Sequence, residues 1–321
     1  MVADRPAVRV AVPDMISPSY FPAIAAVELG FFEREGLNGT IELLYPVTGT
    51  FEALRDGVVD LVGGAAHAPL YAFPQWEGCR LVCALSKGMY WFLVIRADLA
   101  TERGDIGAVR GLRIGAAPGP VDGLRRLLVS AGIDPEREVD IRPVPGTAGP
   151  DASFGVMAAK ALAAGQIDGF WANGMGAEVS VRDGVGFVLV DARRGDGPPG
   201  SERFTFPALV TTAEWIDERP DQVKAAVRAV VRAQRALMAD PGIATEAAAR
   251  LFPAAERGLI AELVSRDAMF YDACISRQDV LSLNRFAQDV GVLSDDEVAY
   301  ERVVATGVSP EWDAPGVQPP G

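Results

Sequence analysis

The chain of 321 residues holds three cysteines, one histidine and no long hydrophobic run. Three cysteines do not make a disulfide framework. Cys79 and Cys83 lie in "CRLVCALS", which reads as a strand with Cys79, Leu81, Cys83 and Leu85 on one face. Four residues of strand span about 13 Å, too far for a disulfide, so both read as small buried hydrophobes. One histidine and scattered cysteines supply too few ligands for a metal, and none is expected. The longest apolar run, "MYWFLVI" (Met89–Ile95), suits a buried strand and is far short of the ~20 residues of a membrane helix. The N-terminus carries Asp4 and Arg5 and no apolar signal region. The expected location is cytoplasmic if Met1 is the native start, and periplasmic or membrane-associated if a leader was removed. Neither a Walker loop nor a G-x-S-x-G elbow is present. The formal charge of −13, with no Lys/Arg-rich run, argues against nucleic acid and anionic membranes as partners.

The composition is that of an ordinary soluble globular protein, near half apolar and near a quarter charged. The length suits two lobes. Two segments also look alike. The first runs "VRVAVPD" (Val8–Asp14) and later "FEALRDGVVDLVGGAAHA" (Phe51–Ala68); the second runs "LRIGAAPGP" (Leu112–Pro120) and later "AAKALAAGQIDGFWANGMG" (Ala158–Gly176). Each opens on an Arg-led strand, then reaches a short helix, a Gly, a branched residue, an Asp, a strand and a Gly-containing loop. Arg9 to Asp60 and Arg113 to Asp168 are similar spacings. Short β-branched runs alternate with helical patterns such as Phe21–Gly36, with Gly36 as its C-cap signal. Such alternation implies two α/β units with parallel sheets. "FTFPALVTT" (Phe204–Thr212) reads as one strand. Helices follow from Pro220, the last starting at a capping Ser276 and ending near Gly291. The Pro- and Gly-rich tail from Ser309 reads as loose.

Ligands of such sheets bind beyond the carboxyl ends of the strands. The loops there are Pro13–Pro22, Pro46–Glu52, Gly63–Pro69, Ala117–Gly123 and Trp171–Glu178. They nominate Met15, Ser17 and Tyr20; Thr48, Gly49 and Thr50, ahead of a helix beginning near Phe51; Ala66 and His67; Pro118 and Gly119; and Trp171 and Asn173. Helix N-termini at these loops suit an anion. No arginine stands plainly in them, so a guanidinium-clamped sulfonate is not favoured. A small aromatic or heterocyclic molecule, or one bearing a carboxylate, fits better.

The order of several phrases resembles one family. They are "SYFPAIAAVELGFFEREGL" (Ser19–Leu37), "ALRDGVVDL" (Ala53–Leu61), "VIRADL" (Val94–Leu99), "AVRGLRIG" (Ala108–Gly115), "ALAAGQIDGF" (Ala161–Phe170) and "VTTAEWIDERPDQVKAAVRA" (Val210–Ala229). Together they resemble the substrate-binding proteins of ABC transporters for sulfonates, taurine, nitrate and thiamine-pyrimidine precursors, over roughly residues 8–290. The resemblance implies a type II periplasmic-binding-protein fold: two α/β lobes, joined by two crossover strands, closing on a small ligand. It divides the chain into lobe one at 1–96 and 204–321 and lobe two at 97–203. It adds Tyr90, Trp91 and Phe206, aromatics at the crossovers, to the candidate contacts. It implies a small-molecule ligand, an ABC permease as partner, a monomer and no cofactor.

Two enzymes that share this fold by resemblance supply the alternative, a cytoplasmic enzyme using His67. In the pyrimidine synthase a histidine of this loop is consumed, and His67 stands at the matching loop. That family's pyridoxal-phosphate lysine, four residues earlier, is here Gly63, and its cysteine-rich iron cluster has no counterpart. In the aromatic sulfinate desulfinase the first loop carries a nucleophilic cysteine, where this chain has Ser17, which lacks thiolate chemistry. A Ser17–His67–Asp14 triad can be drawn, but no motif marks it. No catalytic residue is assigned.

Overall fold

The computed structural model describes residues 5–147, 153–294 and 298–314. Its strands are β1 (Ala7–Val12), β2 (Asn38–Leu43), β3 (Leu61–Ala65), β4 (Cys79–Ala84), β5 (Phe92–Arg96), β6 (Arg113–Ala116), β7 (Asp140–Arg142), β8 (Gly169–Ala172), β9 (Gly186–Asp191) and β10 (Pro207–Thr212). They form two five-stranded sheets, β2-β1-β3-β10-β4 and β7-β6-β8-β5-β9. The two orders are one plan used twice. In each, three parallel strands are followed by one antiparallel strand that the chain supplies in crossing between sheets: β10 in the first, β5 in the second. β5 falls inside the 1–96 span expected for lobe one, yet it bonds to β8 and β9 of the second sheet.

The helices are α1 (Phe21–Glu28), α2 (Phe31–Arg34), α3 (Val47–Arg55), α4 (Pro120–Ser130), α5 (Phe154–Ala163), α6 (Gly174–Arg182), α7 (Ala213–Glu218), α8 (Pro220–Ala239), α9 (Ile243–Ala247), α10 (Ala254–Asp267), α11 (Arg277–Asp289) and α12 (Tyr300–Val303). Val8, Val10 and Val12 of β1 are buried, as alternation demands, and so is Ala11, because helices cover both sheet faces. α8 turns Val223, Val227, Val230 and Leu237 to the core at helical spacing and lies against α1. No helix among the described residues is long and apolar enough to cross a membrane.

The repeat has a physical cause. The Asp60 carboxylate, just before β3, accepts bonds from the Arg9 backbone amide (2.8 Å), Nε (3.0 Å) and Nη2 (2.9 Å). Asp168, just before β8, accepts the same three from Arg113 at 3.0, 2.8 and 2.7 Å. Each forked pair ties one strand to its parallel neighbour, and each fixes register at the end of the sheet away from the loops.

Local readings shift in five places. The helix expected over 21–36 breaks at Gly30, whose φ of 71° no helix continues. α3 begins at Val47, ahead of Phe51, so Thr48, Gly49 and Thr50 form its first turn. Only Phe92–Ile95 of the apolar run is strand, and the strand expected from Phe204 begins at Pro207. The segment from Ser309 to Ala314 is held by the core, with Trp312 Nε1 donating to the Val82 carbonyl at 2.8 Å; the rest of the tail lies outside the described residues. Ser276 caps α11 in a reciprocal capping box with Asp279, and the helix ends two residues short of Gly291.

The Arg113 guanidinium holds the Asp168 carboxyl down at about 2. A depressed carboxyl stabilises the fold above its unfolded value, near 4, and that contribution fades as pH falls through about 2. Asp168→Asn is therefore expected to cost about 1 to 2 kcal/mol at pH 7, allowing for solvent screening, and progressively less below pH 4. Urea denaturation of both proteins across that range measures it.

Candidate functional site

The loops at the carboxyl ends of both sheets enclose one cavity of about 430 Å³, counting its open mouth. The first lobe brings Pro13 and Asp14 from the end of β1, Tyr20 from the turn into α1, Tyr45, and Val47 from α3. The second brings Ala117, Pro118 and Pro120 ahead of α4, Phe154 of α5, and Trp171, Ala172 and Asn173 from the end of β8. Trp91 enters from the crossover into β5. The wall is mostly aromatic and proline, a surface for a flat apolar body. Trp91 and Trp171 approach at 6.2 Å between ring centroids. Tyr90 holds Trp91 from behind at 4.5 Å, and its hydroxyl shares a 2.7 Å bond with that of Tyr20.

Asp14 is the charged member of the wall. Its Oδ1 accepts from the Ile16 amide at 2.9 Å. Its Oδ2 accepts from Ser153 Oγ at 3.0 Å and Asn173 Nδ2 at 2.9 Å, both across the cleft. The Gly155 amide donates to it as well. Ser153 is the N-cap residue of α5 yet makes no cap bond of its own, so the acceptor for the second helical amide comes from the opposite lobe. Asn173 caps α6 with its oxygen, taken by the amides of Met175 (3.0 Å) and Gly176 (3.3 Å), which leaves its nitrogen to donate to Asp14. The two helices reach this point together because Gly155 and Gly176 touch: a methyl group on Gly176 would lie 2.5 Å from the Gly155 carbonyl oxygen. Burial pushes the Asp14 carboxyl up to about 6, against the four donors that pull it down.

His67 lies apart from this cavity. It is wholly buried between the lobes, with Nδ1 3.1 Å from Thr205 Oγ1 and Nε2 3.6 Å from Asp122 Oδ2 of α4. The Tyr71 hydroxyl donates to the same Asp122 oxygen at 2.6 Å. The ring meets Phe286 and Trp91 edge-on at 5.1 and 6.2 Å. The Tyr71–Asp122 bond is thus a second link across the cleft, and His67 Nε2 has no hydrogen-bond partner among the described residues. Asp14, His67 and Ser17 do not assemble: each of the first two has other partners, and the buried Ser17 hydroxyl has none among the described residues. Among the described residues, no histidine, cysteine, lysine or arginine lines the cavity.

Of the residues nominated from sequence, the cavity brings together Tyr20, Trp91, Pro118, Trp171 and Asn173. Met15, Ser17, Thr48, Gly49, Thr50, Ala66, His67, Tyr90, Gly119 and Phe206 are not among its lining residues. The Thr50 hydroxyl is taken by the carbonyls of Leu44 and Pro46. Gly119 faces Val47 across the cleft with a φ of 85°, and a methyl group there would lie 2.5 Å from Val47 Cγ1. Asp14, Tyr45, Val47 and Phe154 were not nominated. Asp14 was legible as the polar residue after the β1 proline; Phe154 had no local signal in the sequence.

Two outcomes follow. Gly119→Ala is expected to hold the lobes apart, with a larger radius of gyration in solution scattering than the parent protein. The raised Asp14 value makes its contribution to stability full below about pH 4 and lost as pH rises through about 6, on the order of 2 to 3 kcal/mol. The melting temperature of the parent protein minus that of Asp14→Asn should therefore increase as pH falls from 7.5 to 4.5; a flat difference would contradict the burial of this carboxyl.

Residues 110–252 match the model of the NMT1-like family. Compared by sequence with curated proteins, the chain matches none. The alkanesulfonate-binding protein SsuA of Xanthomonas axonopodis pv. citri, bound to MOPS, superposes with a TM-score of 0.69 at 16% identity, covering 94% of this chain and 99% of that one. The periplasmic nitrate-binding protein NrtA of Synechocystis PCC 6803 gives 0.67 at 13%, covering 92% and 83%. A mutant of DSZB in complex with biphenyl-2-sulfinic acid gives 0.66 at 16%, covering 96% and 99%. The chain therefore carries an NMT1-like segment over residues 110–252 and has the two-lobed, type II periplasmic-binding-protein fold of the sulfonate- and nitrate-binding proteins.

Proposed function

We propose that this protein is the substrate-binding component of an ABC-type importer, and that it holds a small ring-bearing organic molecule between its lobes. The observation that carries this reading is the cavity itself: aromatic side chains from both lobes converge on one space at the carboxyl ends of both sheets. The named solutes of the fold relatives agree with a binding role. The connection between lobes is built for relative motion. Two crossings join them, and the cleft contacts of Asp14 and Asp122 are hydrogen bonds that opening can exchange for water. The partner in this reading is a membrane permease, met by the closed monomer outside the cytoplasmic membrane.

The enzyme alternative draws less from the site. A covalent mechanism needs a nucleophile and a base at the ligand; among the described residues the wall offers no cysteine, lysine or histidine, and its carboxylate, Asp14, is engaged by four donors of the protein. The DSZB likeness extends to the fold at 16% identity.

Native mass spectrometry of the protein as purified from its own host is expected to reveal a one-to-one complex whose small molecule leaves unchanged on denaturation. Release of a transformed compound, or a persistent mass change on the chain, would overturn the reading in favour of an enzyme.

A further inference from the structure

We infer that the cleft takes a planar ring compound without negative charge, bearing a hydrogen-bond acceptor, and rejects the corresponding ring acid. This rests on the binding role proposed above and narrows the ligand within it.

The first observation is that a carboxylate of the protein already sits where an anion would be welcomed. The N-termini of α5 and α6 meet at the cleft, and such helix ends attract negative charge. Here Asp14 from the opposite lobe accepts the Gly155 amide, Ser153 Oγ and Asn173 Nδ2, while Asn173 Oδ1 answers the first amides of α6. α4 carries Asp122 in its own first turn, and Pro120 has no N–H to give. Among the described residues, α1 and α3, which also start at the cleft, have no side-chain cap and no acidic residue in their first turns.

The second observation is the missing counter-charge. Among the described residues, no lysine or arginine lines the cavity. The guanidinium of Arg266 lies beside Gly174, but it is held by Asp267 and Glu178. A ligand anion would enter a low-dielectric space beside a like charge with no cation to offset it. Asp14 does not ask for a strong donor either. A carboxylate has about four acceptor sites, and four donors of the protein already address it.

The third observation sets the polarity of the ring. Trp171 is fully buried on the cavity wall, and its indole N–H has no acceptor among the described residues. A buried donor without a partner is costly, so the matching ligand brings an acceptor such as a carbonyl oxygen or a ring nitrogen.

Isosteric pairs test this: benzamide against benzoate, and benzenesulfonamide against benzenesulfonate, by saturation-transfer NMR and calorimetry at pH 7.5. The parent protein is expected to favour each amide over its acid by about tenfold or more. Asp14→Asn should bring that ratio close to one. Trp171→Phe should weaken the amides by about fivefold and, because it leaves Asp14 in place, keep the preference over the acids. Acids bound as tightly as amides by the parent protein would overturn the inference and leave the binding role intact; this arm does not depend on how well either variant folds. If no ring compound of either charge binds the folded parent protein, the binding role itself fails.

Discussion

One carboxylate holds the cleft together. Asp14 follows the first strand of one lobe and receives three of its four donors from the other, where it serves α5 as the cap that Ser153 does not provide. Taking an acid out of water is unfavourable, and only its ring of donors makes the position tolerable. Once it is there, the consequences extend outward. The N-termini of α5 and α6 are answered, Asn173 is oriented, and Phe154, one residue after Ser153, is placed on the cavity wall. Burial of one charge thus ties the ends of α5 and α6 to the first lobe.

The rest of the fold supports that placement by symmetry. Both sheets follow one order, and each accepts its antiparallel strand from a segment in transit between lobes. Each is locked at its far end by the same forked Arg–Asp pair, Arg9 with Asp60 and Arg113 with Asp168. The rigid ends therefore lie away from the loops, and the loop ends are free to carry the site. A second link, from Tyr71 to Asp122, spans the cleft on the side of α4.

Much of this was legible in sequence. The repeat, the strand–helix alternation and the loops at the strand ends follow from periodicity and from the spacing of Arg and Asp. The resemblance to binding proteins for sulfonates and nitrate led to the same two-lobed fold. What sequence could not settle was which face of a loop meets the ligand. His67 was expected to line the cleft, but its ring is buried against Phe286 and Trp91. Thr48 to Thr50 looked like an open loop because nothing local marks Val47 as the first helical residue. Asp14 could be read as a possible triad acid; that its partners are Ser153 and Asn173, far along the chain, is a fact of tertiary structure alone.

A crystal structure of the protein as purified from its host measures the central claim most directly. A flat molecule lying against Trp91 and Trp171, with an uncharged acceptor at about 3 Å from the Trp171 indole nitrogen and Asp14 still bonded to Ser153 and Asn173, is the expected result. A carboxylate, sulfonate or nitrate group seated at the N-termini of α5 and α6, with Asp14 displaced from them, would contradict it.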